Sequence, residues 1–234
     1  MNKKAIPDFS KFEEISGITF KNKELLRRAF THRSFLNENR ASESSHNERL
    51  EFLGDAVLEL MVTEYLFEKY PDSTEGDLTA YRASLVNAIT LSEVAQKINV
   101  NDFLLLSKGE AKDTGKARQY ILANTMEAII GAIYLDQGYD AAKYFISNNL
   151  FHLIDKIIEE QSWIDAKSKF QEKAQEKESQ TPLYKSLKEE GPDHDKHFTV
   201  GVYLNDDLIA EGTGQSKQEA EQAAARQALE TKGW

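Results

Sequence analysis

From Phe9 to about Gln161 apolar residues recur at three- and four-residue spacing, and proline and glycine fall at the edges of these runs. The pattern predicts helices at Lys23–Thr31, Asn47 to about Lys69 (stopped by Pro71), Asp77–Leu85, Ala88–Ile98, Gln119–Asp136 and Tyr139–Glu160. Leu50, Leu53, Val57, Leu60, Met61 and Leu66 form the apolar stripe of the second. The fifth, from Ile121 to Leu135, is apolar nearly all round, as a central buried helix would be. Beyond Gln161 the pattern changes. A helix at Asp165–Glu178 is followed by Pro182 and Gly191-Pro192, and His197–Leu204 then alternates as a strand does. Asn205-Asp206-Asp207 reads as a hairpin turn into Leu208–Gly212, and a last helix runs from Ser216 to about Thr231, with Ser216 as N-cap and Glu219 completing a capping box. The expected architecture is an all-α domain over residues 1–160, a linker at 161–164, and a small α+β module of helix, three strands and helix over 165–234.

The 234 residues carry no cysteine, which excludes disulfides, thiolate metal sites and cysteine nucleophiles and leaves oxygen or imidazole as metal donors. No apolar run reaches the ~20 residues of a membrane span and the start lacks a signal-peptide core, so a cytoplasmic protein without a membrane partner is expected. The net charge of −10 by itself argues against a polyanionic partner.

Two segments carry candidate chemistry. In Asn47-Glu48-Arg49-Leu50-Glu51-Phe52-Leu53-Gly54-Asp55, helical spacing sets Glu48, Glu51 and Asp55 along one stripe. This is either a solvated acidic face or a cation site, and the mid-helix Gly54, costing ~1 kcal/mol relative to Ala, points to something packed closely against it. In the buried helix, Asn124 and Glu127 stand three residues apart. Facing helices offering Glu51 and Asp55 on one side and Asn124 and Glu127 on the other would build either an all-oxygen site of the kind Mg²⁺ prefers or a hydrogen-bonded polar cluster without metal. Gly212–Lys217 lacks the third glycine of a dinucleotide fingerprint, Gly109–Lys116 lacks Walker A spacing, and the five histidines form no HExxH motif, so no nucleotide cofactor is expected.

The segment Asn47–Asp55 resembles the signature of the ribonuclease III family. Thr31-His32-Arg33-Ser34-Phe35, Glu75-Gly76-Asp77 and the Glu127 helix resemble that family in order and spacing, and the C-terminal module is similar to a double-stranded-RNA-binding domain. The resemblance implies a Mg²⁺-dependent endoribonuclease (Mn²⁺ a possible substitute). It would cleave double-stranded RNA as a homodimer, leave 5′-phosphate ends and short 3′ overhangs, and process ribosomal and other precursor RNAs. It implies Glu51, Asp55, Asn124 and Glu127 as metal ligands, with Asp55 and Glu127 most closely tied to catalysis. Glu48 and Glu75 would position RNA or a second metal, and Phe52 would lie at the dimer interface. It places RNA contacts at Lys169, Gln171 and Glu172, at the Gly191–His194 loop with His194, and at Gln215, Ser216 and Lys217. Two departures stand out. Asn124 occupies a position where the family normally has Asp, so it supplies an oxygen but no charge, and Lys217 is followed by Gln218, Glu219 and Glu221 where the family usually carries a basic cluster. They keep open the alternative of a weak or inactive dsRNA-binding protein that uses the nuclease fold as a dimerisation platform.

Overall fold

The computed structural model describes residues 6–39, 45–159, 165–191 and 196–234. It divides into two compact units, Met1–Trp163 and Ile164–Trp234. Among the described residues no helix is long and apolar enough to cross a membrane.

The first unit is helical: α1 Ser10–Ser16, α2 Lys23–Ala29, α3 Arg33–Glu38, α4 Glu48–Lys69, α5 Glu75–Val86, α6 Ala88–Lys97, the short α7 Val100–Phe103, α8 Lys116–Gln137, α9 Tyr139–Ile146 and α10 Leu153–Glu159. The all-round apolar segment becomes the centre of the unit: from Ile121 to Ile133 every α8 residue except Asn124 and Glu127 is buried. Against it lies α4, which buries Leu50, Gly54, Val57, Leu58, Met61, Val62 and Leu66. At their crossing there is no room for side chains. A Cβ on Gly54 would lie 1.7 Å from the Glu127 carbonyl oxygen, and one on Gly131 would lie 2.3 Å from that of Leu50. The close neighbour expected of Gly54 is therefore the backbone of the Glu127 helix itself.

The predicted helix Tyr139–Glu160 is corrected to α9, a wide π turn at Ser147–Phe151, and α10. Leu150 and Phe151 in that turn are both buried, and Phe151 stacks on Tyr65 of α4 with ring centroids 3.8 Å apart. At α5 the start moves two residues earlier than the apolar pattern indicates. Thr74 and Asp77 form a reciprocal capping box there, and it places Glu75 in the first turn.

The second unit is α11 Ala166–Glu178, then β1 Leu183–Glu190, β2 His197–Leu204 and β3 Asp207–Gly214 in an antiparallel sheet of order β1-β2-β3, then α12 Lys217–Lys232. Its core joins Phe170 and Ala174 of α11, Val202 and Leu204 of β2, and Ala224, Ala225, Ala228 and Leu229 of α12. Ser216 caps α12 as expected, its Oγ accepting from the Glu219 amide at 3.2 Å. The box is shifted, however: the Glu219 carboxylate accepts from the amide of Gln215, at 2.9 Å, instead of that of Ser216.

Candidate active site and nucleic-acid face

The glycine crossing sets where the acids meet. With Gly54 seated on the Glu127 carbonyl, Glu51, about one turn before it, and Asp55, the residue after it, lie close enough to act on the Glu127 carboxyl. Electrostatics registers the convergence. Burial, then Asp55, then Glu51 push the Glu127 carboxyl up to about 8. Burial and the neighbouring Glu48 raise that of Glu51, against a lowering hydrogen bond from Asn124. Glu127 and Glu51 are half-buried and Asp55 is exposed, so the group opens to solvent on one side.

Among the described residues no three His, Cys, Asp or Glu side chains stand ready in metal-ligating geometry. The donor set nonetheless fits a hard divalent cation. Glu51 and Asp55 are near enough to raise the Glu127 carboxyl to about 8, no positive charge is among the causes of that shift, and Asn124, hydrogen-bonded to Glu51, adds an amide oxygen to the neighbourhood. Asn124 spends its amide on Glu51 in this arrangement. Turning that amide over would present its oxygen to the same space.

Glu48 is engaged differently. It is exposed at the first turn of α4, with its carboxylate 3.4 Å from Arg33 Nη1 and 3.7 Å from His46 Nδ1. Arg33, the first residue of α3, and His46, two residues before α4, are neighbours of Glu48 that sequence reasoning missed, because a tertiary contact leaves no trace in helical periodicity. The segment around them is pinned by Asn47. Its amide group donates to the Ala29 carbonyl at 3.1 Å, its backbone N–H donates to the Thr31 carbonyl at 2.9 Å, and the residue is buried. Ser34 Oγ meets His32 Nδ1 at 2.8 Å and accepts from the Ser107 amide at 3.1 Å, which ties the segment to the loop after α7. Glu75 is exposed on α5 and is not among the charges that shift Glu51 or Glu127. Phe52 points outward from α4, 82% exposed, and Phe67 on the same helix is 71% exposed.

In the second unit Lys169, Gln171 and Glu172 lie on the outer face of α11, whose inner face is Ala166, Phe170 and Ala174. Gln215 and Lys217 are exposed at the start of α12 and Ser216 is half-buried as its cap. His194 lies outside the described residues, as do Pro192, Asp193 and the 161–164 segment read as a linker. The cation at the α12 start is not alone: Lys217 Nζ is 2.6 Å from a Glu189 carboxylate oxygen, and the other oxygen of Glu189 is 4.0 Å from Lys196 Nζ.

Residues 22–154 match the family model described as ribonuclease-III-like, and residues 166–232 match the double-stranded RNA binding motif. The chain is 47% identical to Ribonuclease 3 of Bdellovibrio bacteriovorus over 94% of both chains, and 49% identical to Ribonuclease 3 of Carboxydothermus hydrogenoformans over 93% of both. Among solved structures, the nuclease domain of ribonuclease III from Campylobacter jejuni is 44% identical, covers 61% of this chain and 98% of its own, and superposes with a TM-score of 0.55. The two domain matches in this order, with relatives aligned along nearly the whole length, establish that the chain belongs to the ribonuclease III family.

Proposed function

We propose that the protein is a divalent-metal-dependent endoribonuclease that cleaves double-stranded RNA as a homodimer, leaving 5′-phosphate ends and short 3′ overhangs, and that it acts on ribosomal and other precursor RNAs. The observation that carries the catalytic half is the convergence of Glu51, Asp55 and Glu127 across the Gly54–Gly131 crossing, with the Glu127 carboxyl pushed up to about 8 by burial and by its two acidic neighbours. Glu51, Asp55, Asn124 and Glu127 would hold Mg²⁺, or Mn²⁺ in its place. When bound, the metal supplies Lewis acidity for attack of water on the phosphodiester and for the charge that develops on the leaving 3′-oxygen. The protein's own part is positional and electrostatic. The glycine contact fixes the spacing of the two helices that carry the carboxylates, and partial burial of Glu51 and Glu127 strengthens their pull on a cation. Arg33 donates to Glu48 at the edge of the cluster, where the Glu48 charge adds to the field at Glu51. Glu48 and Glu75 are assigned to RNA placement or a second metal.

On the RNA side, α11 with Lys169, Gln171 and Glu172 and the loop with His194 would read successive minor grooves and their 2′-hydroxyls. The α12 N-terminus with Gln215, Ser216 and Lys217 would face phosphates across the intervening major groove. Dimerisation is supported by the exposed Phe52 on the helix that bears the acids, and by the Campylobacter jejuni nuclease domain, which is described as flexible in a region involved in dimer formation. Sedimentation equilibrium is expected to give twice the chain mass, and Phe52→Asp to shift the protein toward monomer. A monomeric parent chain would refute the dimer.

The direct test of the activity is cleavage of a long labelled RNA duplex at low salt across a Mg²⁺ titration, with Ca²⁺ and Asp55→Ala controls. Binding without cutting at any Mg²⁺ or Mn²⁺ concentration would favour a non-catalytic dsRNA-binding platform, the reading to which Asn124 and the weak positive charge at the α12 start lend support.

A further inference from the structure

Lys217, the cation at the start of α12, is already occupied. Its ammonium lies 2.6 Å from a carboxylate oxygen of Glu189, near the end of β1, and 5.7 Å from the centre of the Phe198 ring on β2. This placement follows from the sheet. Glu189 and Phe198 are register partners across β1 and β2, and Phe198 is in turn paired with Gly214, where β3 ends and the chain turns into α12. Three segments distant in sequence therefore converge on one ammonium group, and the same carboxylate reaches Lys196 at 4.0 Å. Hydrogen bonding to Lys217 lowers the carboxyl's pKa, so Glu189 is ionised at neutral pH.

We infer that Glu189 is an internal substitute for an RNA phosphate: it holds the Lys217 ammonium when no duplex is bound, must release it when a phosphate takes its place, and thereby limits the affinity of this chain for double-stranded RNA. The inference rests on the assignment of Lys217 to the RNA face. A carboxylate and a phosphate oxygen compete for the same donor, so each binding event that uses Lys217 has to break an ion pair whose worth, for a solvent-exposed pair, is a few-fold in equilibrium constant. The freed Glu189 then stands close to the incoming phosphate, opposing it with a like charge. The effect falls on affinity and on its salt dependence, and leaves the chemistry at Glu51, Asp55 and Glu127 untouched.

The test is equilibrium binding of the full chain to a labelled RNA duplex by fluorescence anisotropy, without divalent metal so that no cleavage intervenes, over a range of NaCl concentrations. Glu189→Gln is compared with Glu190→Gln, which removes the same charge from the adjacent position on the opposite face of β1. It is also made in a Lys217→Ala background. Glu189→Gln is expected to tighten binding roughly two- to five-fold beyond Glu190→Gln. It should also steepen the slope of log K against log salt by up to ~0.9, the contribution of one phosphate contact. Both gains should vanish in the Lys217→Ala background. A Glu189→Gln affinity equal to that of Glu190→Gln, or a gain that survives loss of Lys217, would overturn the inference while leaving duplex binding established. Absence of duplex binding by the parent chain would instead overturn the functional reading and this inference with it.

Discussion

Asn124 and Glu127 are the two breaks in an otherwise buried stretch of α8, and their departure from the apolar pattern marks them as candidates in the sequence alone. Charge cannot be read that way. The sequence shows three acids and an amide, whereas only their convergence explains why the Glu127 carboxyl rises to about 8, through burial first and then Asp55 and Glu51. The sign has a consequence for metal binding. Below pH 8 Glu127 carries a proton that a cation must displace, so Mg²⁺ affinity should strengthen as pH rises and level off once pH passes about 8. Asn124→Asp adds a negative charge to the same space and is expected to lower the Mg²⁺ concentration for half-maximal cleavage several-fold at every pH. A requirement that is unchanged or raised in Asn124→Asp would remove Asn124 from the ligand set. The Arg33 and His46 neighbours of Glu48 lay beyond sequence reasoning because tertiary contacts of this kind leave no trace in helical periodicity.

The elements that matter most for the site are α4 and α8, and both were legible from their apolar periodicity to within a few residues. Their mutual distance was legible only in part. Gly54 in mid-helix signalled a close neighbour, but not that the neighbour would be the main chain of the residue whose side chain belongs to the same acidic group. Because the Gly54 Cβ position falls 1.7 Å from that carbonyl, Gly54→Ala must push the helices apart. Overpacking typically costs about 1–3 kcal/mol, and a clash with main chain puts this case at the upper end. Thermal unfolding should show a clear loss of stability, and at temperatures where the variant remains folded its Mg²⁺ requirement should be raised. A Gly54→Ala protein with parental stability and metal requirement would contradict the crossing as the device that sets carboxylate spacing. Other elements escaped the pattern for identifiable reasons. Strand β1 is a polar edge strand whose residues are nearly all exposed, and α9 to α10 is interrupted by a π turn, which the apolar spacing does not distinguish from continuous helix.

For the molecule as a whole, a net charge of −10 argued against a polyanionic partner, yet the chain belongs to a family whose model matches extend over a nuclease-like domain and a double-stranded RNA binding motif. The ion pairs of the second unit help to resolve the conflict. Lys167 is paired with Glu221, Lys173 with Glu176, Lys217 with Glu189 and Lys232 with Glu178, so many of its cations are offset locally. An isolated module of this kind would bind RNA weakly, and a dimer that brings two such modules to one duplex would gain by multivalency what each lacks. Net charge is then a guide to modest non-specific affinity, and the acids proposed for catalysis would belong to a separate balance completed by a divalent cation. The central claim is that Glu51, Asp55, Asn124 and Glu127 act together as the metal-dependent cleavage centre. Its most direct test is cleavage of a long RNA duplex by the full chain across a Mg²⁺ titration, with Asp55→Ala alongside. The account predicts Mg²⁺-dependent cutting by the parent chain, and for Asp55→Ala its loss by several orders of magnitude with duplex binding retained. Cleavage that persists in Asp55→Ala, or that proceeds at full rate in the presence of a chelator, would contradict it.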